Sequence, residues 1–166
     1  EKLTNELLDF ARGTALKRRP TDIPSLLRAL AQDTDPARVA LDLEGAPGTW
    51  AVDRDKLHQV MLNLLRNALT ADTAGGPVSV RVARRDRALD VTVRDHGPGL
   101  PPGDPEKLFE PFFTTKTRGT GLGLSVSRRI IRLHGGTLTA RTHPEGGAEF
   151  TLRIPEEPHG APAGRG

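Results

Sequence analysis

The sequence predicts an α/β two-layer sandwich: a mixed, mostly antiparallel sheet with helices on one face. Three observations predict it. Alternating apolar runs come in adjacent pairs, at 78–94 and again at 137–154, as antiparallel hairpins do. The stretch 53–72 is long and amphipathic with a single apolar stripe, so it has one face to bury. The elements do not follow a regular βαβ alternation, which argues against a doubly wound parallel sheet.

The elements follow in order. Residues 1–12, EKLTNELLDFAR, space Leu3, Leu7, Leu8 and Phe10 close to a helical period and read as the end of a longer amphipathic helix. Gly13 and Pro20 break it, giving a linker over 13–20. Asp22 is placed to cap a helix running to Leu30, with Pro24 in its first turn. ARVALDLEG alternates Val39, Leu41 and Leu43 as a strand, and GTWAV reads as a second. Asp53 opens the most regular helix, in which Leu57, Val60, Met61, Leu64, Leu65 and Ala68 follow the i, i+3, i+4, i+7 rule until Gly75-Gly76-Pro77 ends it. PVSVRVARRD and ALDVTVRD form a hairpin turning at Asp86–Arg87. Residues 96–120 are a long loop rich in Gly, Pro, Thr and charge, and long loops in small domains are usually functional. A helix from about Gly121 to Leu133 stops at His134-Gly135-Gly136, where a basic side chain suits a helix C-terminus. The strands TLTART and AEFTLRI close the fold as a second hairpin, and 156–166 reads as a disordered tail.

Composition narrows the class. The chain of 166 residues is long enough for one domain with a real core. No apolar run is long enough to span a membrane, and the charged N-terminal stretch is no secretory signal. The absence of cysteine excludes disulfides and thiolate metal sites and fits a cytoplasmic chain. A net charge of +3 invites a nucleic-acid reading, but 24 basic residues are offset by 21 acidic ones. The basic pairs are scattered and no aromatic residues interleave with them, so no nucleic acid is expected as a partner.

Three constellations carry chemistry. Asn63 and Asn67, four apart on the long helix, share a face about 100° from the apolar stripe, with Gln59 a turn before them. Their amide oxygens suit a hard cation such as Mg²⁺ that also holds phosphates. The segment VRDHGPGL leaves a strand with the form D-x-G-x-G: Asp95 can accept from an exocyclic amine, and Gly97 and Gly99 let backbone approach a ligand. The stretch LFEPFFTTKTRGTGLGL sets Phe109, Phe112 and Phe113, then Lys116 and Arg118, before Gly119, Gly121 and Gly123, where free backbone N–H groups at a helix start face an anion. Taken singly, each has a plainer reading: polar residues at the core's edge, an ordinary turn, Phe as ordinary core. Together they give an adenine acceptor, a cation site and a triphosphate cradle, with the Phe cluster as a hydrophobic latch for the loop. That loop has few other anchors, so it is expected to be unordered without nucleotide.

At this point the chain resembles the catalytic and ATP-binding domain of bacterial two-component sensor histidine kinases, of the Bergerat-fold superfamily shared with gyrase, mismatch-repair and chaperone ATPases. HQVMLNLLRNALTA resembles the N box, DHGPGL the first G box, LFEPFFTTK the F box and GTGLGLSVSRRIIRLHGG the second G box, in the family's order. The resemblance covers about 1–155, and NALTAD and GGAEFTLRIP look most like the nitrogen-regulation branch. It implies ATP and Mg²⁺ as cofactors. Asn67 would ligand the metal, with Asn63 assisting or lining the phosphate site, and Asp95 would bind the adenine amino group in a pocket shaped by Gly97 and Gly99. Lys116 and Arg118 would reach the phosphates from an ATP lid. Gly119, Thr120, Gly121, Leu122, Gly123 and Leu124 would form the phosphate loop and helix start. Residues 1–12 would be the last turns of the second helix of a dimerisation and His-phosphotransfer domain, and 21–155 the catalytic domain.

Departures from the family pattern sharpen these expectations. Thr70 and Ala71 stand where many members carry Lys-Tyr, so no Tyr stacks on adenine, and Ala148 replaces a common Thr. Hydrolysing relatives carry at position 63 a Glu that activates water, which Asn63 cannot do, and this argues for phosphoryl transfer to another nucleophile. None of His58, His96, His134, His143 and His159 has the context of a phosphoacceptor, so that His is expected on a dimerisation domain outside this chain, and a response-regulator Asp beyond it. The parent kinase could then be membrane-anchored although this piece spans no membrane. The rival readings are a stand-alone ATPase or clamp of the same fold, a serine kinase of the anti-sigma type, and a non-catalytic module. Steady phosphate release, labelling of a partner Ser, or failure to bind ATP would respectively support them.

Overall fold

Two aspartates start the helices that begin at Ile23 and Arg54. The computed structural model describes residues 4, 5, 7, 8, 15–114 and 120–157. Asp22 accepts the Ser25 N–H at 2.9 Å and opens α1, Ile23–Thr34, which outruns its expected end at Leu30 by a turn. That bond draws the Asp22 carboxyl below its ordinary pKa. Asp53 accepts the Lys56 N–H and opens α2, Arg54–Ala71. The predicted stripe of Leu57, Val60, Met61, Leu64, Leu65 and Ala68 is the face that α2 buries. Each large apolar side chain taken out of water there contributes roughly 1.5–3 kcal/mol. A further helix, α3, spans Gly123–Leu133, beginning two residues later than expected, and buries Val126, Ile130 and Ile131.

The strands are β1 Arg19–Asp22, β2 Val39–Gly45, β3 Thr49–Val52, β4 Val78–Arg85, β5 Ala88–Arg94, β6 Thr137–Thr142 and β7 Ala148–Pro155. Five of them form the main sheet in the order β2-β4-β5-β7-β6, antiparallel except for the parallel β2/β4 pair. Val80, Val82, Val91, Val93, Leu138, Leu152 and Ile154 alternate onto the face under the helices and are buried. The alternate residues, Arg81, Thr92 and Thr151 among them, line the other face. The two-layer, mostly antiparallel architecture is thus the one the periodicities predict. The hairpin also turns where expected: Asp86 and Arg87 both take left-handed φ, 48° and 60°, as a two-residue hairpin loop demands.

One expected strand lies elsewhere. β3 does not join the main sheet but pairs antiparallel with β1, in a separate two-stranded ribbon that sets Pro20 opposite Ala51. Pro20, read as a breaker, is therefore inside a strand that begins within the stretch 13–20. A two-stranded ribbon has a free edge, so a residue without an N–H loses nothing there. Glu156, the first residue of the expected tail, donates its N–H to the Arg87 carbonyl at 2.8 Å and ion-pairs with Arg84 and Arg87. Residues 158–166 lie outside the described residues, as do most of 1–12; positions 4, 5, 7 and 8 are helical. Among the described residues no helix is long and apolar enough to cross a membrane.

The end of α2 is held by a residue that the sequence did not advertise. Arg38, just before β2, donates from Nη1 to the Leu69 carbonyl at 3.1 Å, from Nη2 to Asp72 at 3.2 Å and from Nε to Gly76 at 3.0 Å. The Leu69 carbonyl is one that a helix end leaves without a helical partner, and those of Asp72 and Gly76 belong to the cap and turn just beyond it. Asp72 completes the stop by accepting the Ala74 and Gly76 N–H groups. Arg38→Ala strips the cation from three carbonyls and is expected to cost about 2 kcal/mol, read as a lowered urea midpoint with an unchanged m-value. Arg38→Lys is expected to recover little, because one ammonium cannot span the fork.

Candidate functional site

Asp95 closes β5 and is buried, 3% exposed. Its Oδ1 accepts the N–H of Gly97 at 2.9 Å and of Ala148 at 3.1 Å, while its own N–H donates to the Ala148 carbonyl at 3.0 Å. The carboxylate is thereby locked between its own turn and the start of β7. Gly147, which no motif singled out, makes this approach possible: it takes a φ of +86°, and a Cβ there would collide with the Asp95 carbonyl. Its signal in the sequence was the Gly146-Gly147 pair ahead of the last strand.

The D-x-G-x-G turn leans on α2. A Cβ on Gly97 would come within 2.7 Å of the Ala71 carbonyl, so this glycine lets the turn seat against the helix end. Gly99, at φ +87°, sits over Thr142, whose Oγ1 accepts the Leu100 N–H at 3.1 Å. His96, beside Asp95, is exposed and its Nδ1 lies 2.9 Å from the Pro77 carbonyl.

Asn63 meets the other motif. Its amide Oδ1 lies against Gly123, where any Cβ would strike it, and its Nδ2 donates to Ser127 Oγ at 3.1 Å. Asn63 thus touches the start of α3, while Ala71 touches the Asp95 turn. Eight residues of helix separate the two contacts, about 12 Å at 1.5 Å per residue. Asn67 falls midway, half-buried on the same row. α2 is therefore a spine linking the D-x-G-x-G turn at one end to the glycine-led helix start near the other.

That helix start suits an anion. Leu122, the residue before α3, offers no side-chain cap to the first turn. Thr120 Oγ1 accepts the Leu122 N–H at 3.3 Å, and Ser125 donates to the Leu122 carbonyl. Leu122 itself is fully buried and Leu124 packs against the core, so what these two can offer a phosphate is backbone. Gly121, at φ +74°, lies against the Phe112 backbone, and its carbonyl accepts the Phe112 N–H at 2.9 Å. Lys116, Arg118 and Gly119, and with them residues 115–119 near the end of the expected lid, lie outside the described residues.

The expected three-Phe latch is a one-Phe latch. Phe109, at the end of a 3-10 turn over Pro105–Phe109, is buried edge-on against Phe150, ring centroids 6.5 Å apart. The Arg128 guanidinium of α3 lies over the Phe109 ring, 4.3 Å from its centroid, and ion-pairs with Glu106, which draws the Glu106 carboxyl below its ordinary pKa. Phe112 is 64% exposed and Phe113 half-buried. The Phe112 backbone takes a left-handed φ of 67°, because the chain turns there to meet Gly121, and this aims the ring outward.

The helix-ending histidine also differs from expectation. His134 is buried, 1% exposed; its Nδ1 lies 2.8 Å from the Ile130 carbonyl and its Nε2 3.0 Å from the Asp53 backbone nitrogen. The Asp53 amide can only donate, so Nε2 accepts and the proton sits on Nδ1: the ring is neutral rather than a cation at a helix end. Burial lowers its pKa further than the Ile130 bond and the Asp53 charge raise it, and Arg18 adds to the lowering.

This geometry matches a known family. Residues 52–158 match the family model described as "Histidine kinase-, DNA gyrase B-, and HSP90-like ATPase", and the chain belongs to that family. Within it, the relatives include histidine-protein kinases and sensor histidine kinases. The histidine-protein kinase AfsQ2 of Streptomyces coelicolor is 41% identical over 125 residues, covering 72% of this chain and 23% of the relative. The sensor histidine kinase ZraS of Klebsiella oxytoca is 35% identical, covering 93% of this chain and 35% of the relative. AtoS of Escherichia coli is 36% identical, with 96% and 27% covered. The chain thus spans about a quarter to a third of these curated relatives. Among solved structures, full-length ShkA in complex with AMPPNP superposes with a TM-score of 0.82 at 30% identity, over 97% of this chain and 36% of that one. The catalytic domain of the histidine kinase ThkA gives 0.77 at 30% identity, over 85% and 97%. ThkA in complex with the response regulator TrrA gives 0.82 at 26% identity, over 96% and 48%. The fold is the Bergerat fold, and the domain is of the histidine-kinase ATP-binding type.

Proposed function

We propose that this chain binds Mg-ATP and presents its γ-phosphoryl group to a histidine on a dimerisation domain outside 1–166, for onward relay to an Asp of a response regulator. The observation that carries this reading is the spine: α2 joins a buried carboxylate turn to an uncapped helix start, a span that suits adenine at one end and phosphates at the other. Asp95, through its second oxygen, would take the adenine amine; Gly97 and Gly99 would shape the rim. The first turn of α3, from Gly121 to Leu124, would donate backbone N–H groups to the phosphates. Lys116 and Arg118 would add charge from the lid, with Gly119 and Thr120 completing the loop. The donors at hand for Mg²⁺ are neutral amide oxygens, which fit a hard ion held mainly by phosphates; Asn67 would hold it, and it would offset charge developing on the transferred group. Asn63 offers no base for water, so the residues position ATP and stabilise charge while the nucleophile comes from elsewhere. Residues 1–12 would end the second helix of that dimerisation domain, in a cytoplasmic part of the parent kinase.

The test follows γ-labelled ATP with Mg²⁺. The chain alone is expected to bind nucleotide yet release almost no phosphate and carry no label. Adding a dimerisation domain with its phosphoacceptor His, taken from the parent kinase, is expected to move the label to that His. Sustained release of phosphate by the chain alone, abolished by Asp95→Asn, would instead make it an ATPase in its own right.

A further inference from the structure

We propose that Ser127 is a positioning residue for the nucleotide site, acting through Asn63. Ser127 lies one turn beyond Gly123 on the side of α3 that faces α2, and it is 2% exposed. A serine in the middle of a helix gains nothing from propensity, and a buried hydroxyl is costly unless it is bonded. Here its oxygen accepts the Asn63 Nδ2–H at 3.1 Å. An amide has two unlike ends. With Nδ2 committed to Ser127, Oδ1 is left facing Gly123, at the helix start whose N–H groups would hold the phosphates. Without the hydroxyl the amide is free to rotate, and half of its orientations would set a second donor where an acceptor stands. Gly123 closes the other side, since a Cβ there would push the amide off its seat. The bond joins two motifs 64 residues apart in the chain, so it also fixes the spacing between the N box and the second G box.

This inference rests on the ATP-binding reading above, and the experiment separates the two. Affinity for Mg-ATP is measured by calorimetry on the whole chain for wild type, Ser127→Ala, Ser127→Thr, Asn63→Ala and the Ser127→Ala/Asn63→Ala pair, with melting curves for each. Ser127→Ala is expected to weaken Mg-ATP about fivefold, near the worth of one hydrogen bond. Ser127→Thr, which keeps the hydroxyl, is expected to restore most of it. Ser127→Ala is expected to add little once Asn63 is Ala, because the two act as one unit. Full wild-type affinity in Ser127→Ala, or losses that simply multiply in the pair, would overturn the proposal. A wild-type chain that binds no ATP would instead overturn the parent reading.

Discussion

Asp95→Asn is expected to lower ATP affinity by roughly 10- to 100-fold, the range set by losing a hydrogen bond to a buried charged group. The substitution keeps size and shape, so the turn it holds should survive. Asn Oδ1 can still accept from Gly97 and Ala148, as the carboxylate oxygen does now. The other oxygen becomes an amide NH₂, a donor set against the adenine amine, which is itself a donor. Two donors would then face each other at a residue that is itself 3% exposed, with little water to intervene. The melting temperature should move by no more than a few degrees. Selectivity should change with affinity: wild type is expected to favour ATP over GTP, whose ring carries a carbonyl at that position, and Asp95→Asn to lose the preference. Unchanged affinity in a folded variant would remove Asp95 from the adenine role. A collapse in melting temperature would make its two backbone bonds its main work.

What could be read from the sequence divides along a physical line. The α2 stripe was legible because helix periodicity is local, and Leu57 to Ala68 satisfy it whatever packs above them. The β4–β5 hairpin was legible for the same reason, even with Asp86 and Arg87 in place of a glycine turn. β1 was not. Arg-Pro-Thr-Asp has no alternation to detect, and it is a strand only because β3, some 30 residues on, supplies its partner. The Phe cluster showed a related limit. Three neighbouring rings suggested three anchors, but the left-handed turn at Phe112 sends that ring to solvent and leaves Phe109 as the buried one. At the candidate site, Asp95, Gly97, Gly99, Gly121, Gly123 and the two Asn stood out because three local motifs occur together in one short chain, each of them ordinary when taken alone. Arg38, Ser127 and His134 did not. Each looks ordinary in its own segment, and each works through a partner 31 to 81 residues away, in most cases a backbone atom.

His134 sets the last expectation, and the largest for stability. It bonds the last turn of α3 through Ile130 and the N-cap of α2 through Asp53, so one ring ties together the two helices of the candidate site. The incoming chain fastens to the same point, where Lys17 donates its N–H to Asp53 Oδ2 and Arg18 donates to the His134 carbonyl. His134→Ala leaves a buried N–H without its acceptor and opens a cavity the size of an imidazole. The expected cost is about 3 kcal/mol, or about 10 °C of melting temperature for a domain of this size. The pH dependence follows from the lowered pKa. The unfolded chain binds a proton on this His below about 6.5, while the native ring, held neutral by burial, does not until the pH is lower still. Stability from His134 is therefore complete above that value and is lost as the pH falls below it, at no more than about 1.4 kcal/mol per pH unit. Most carboxylates titrate alike in wild type and variant. The gap in melting temperature between wild type and His134→Ala is thus expected to be widest near pH 7–8 and to narrow toward pH 5. A gap that stays constant over that range would mean that His134 titrates alike in both states; a gap that widens in acid would mean that the ring is held as a cation, with the Asp53 carboxylate its true partner.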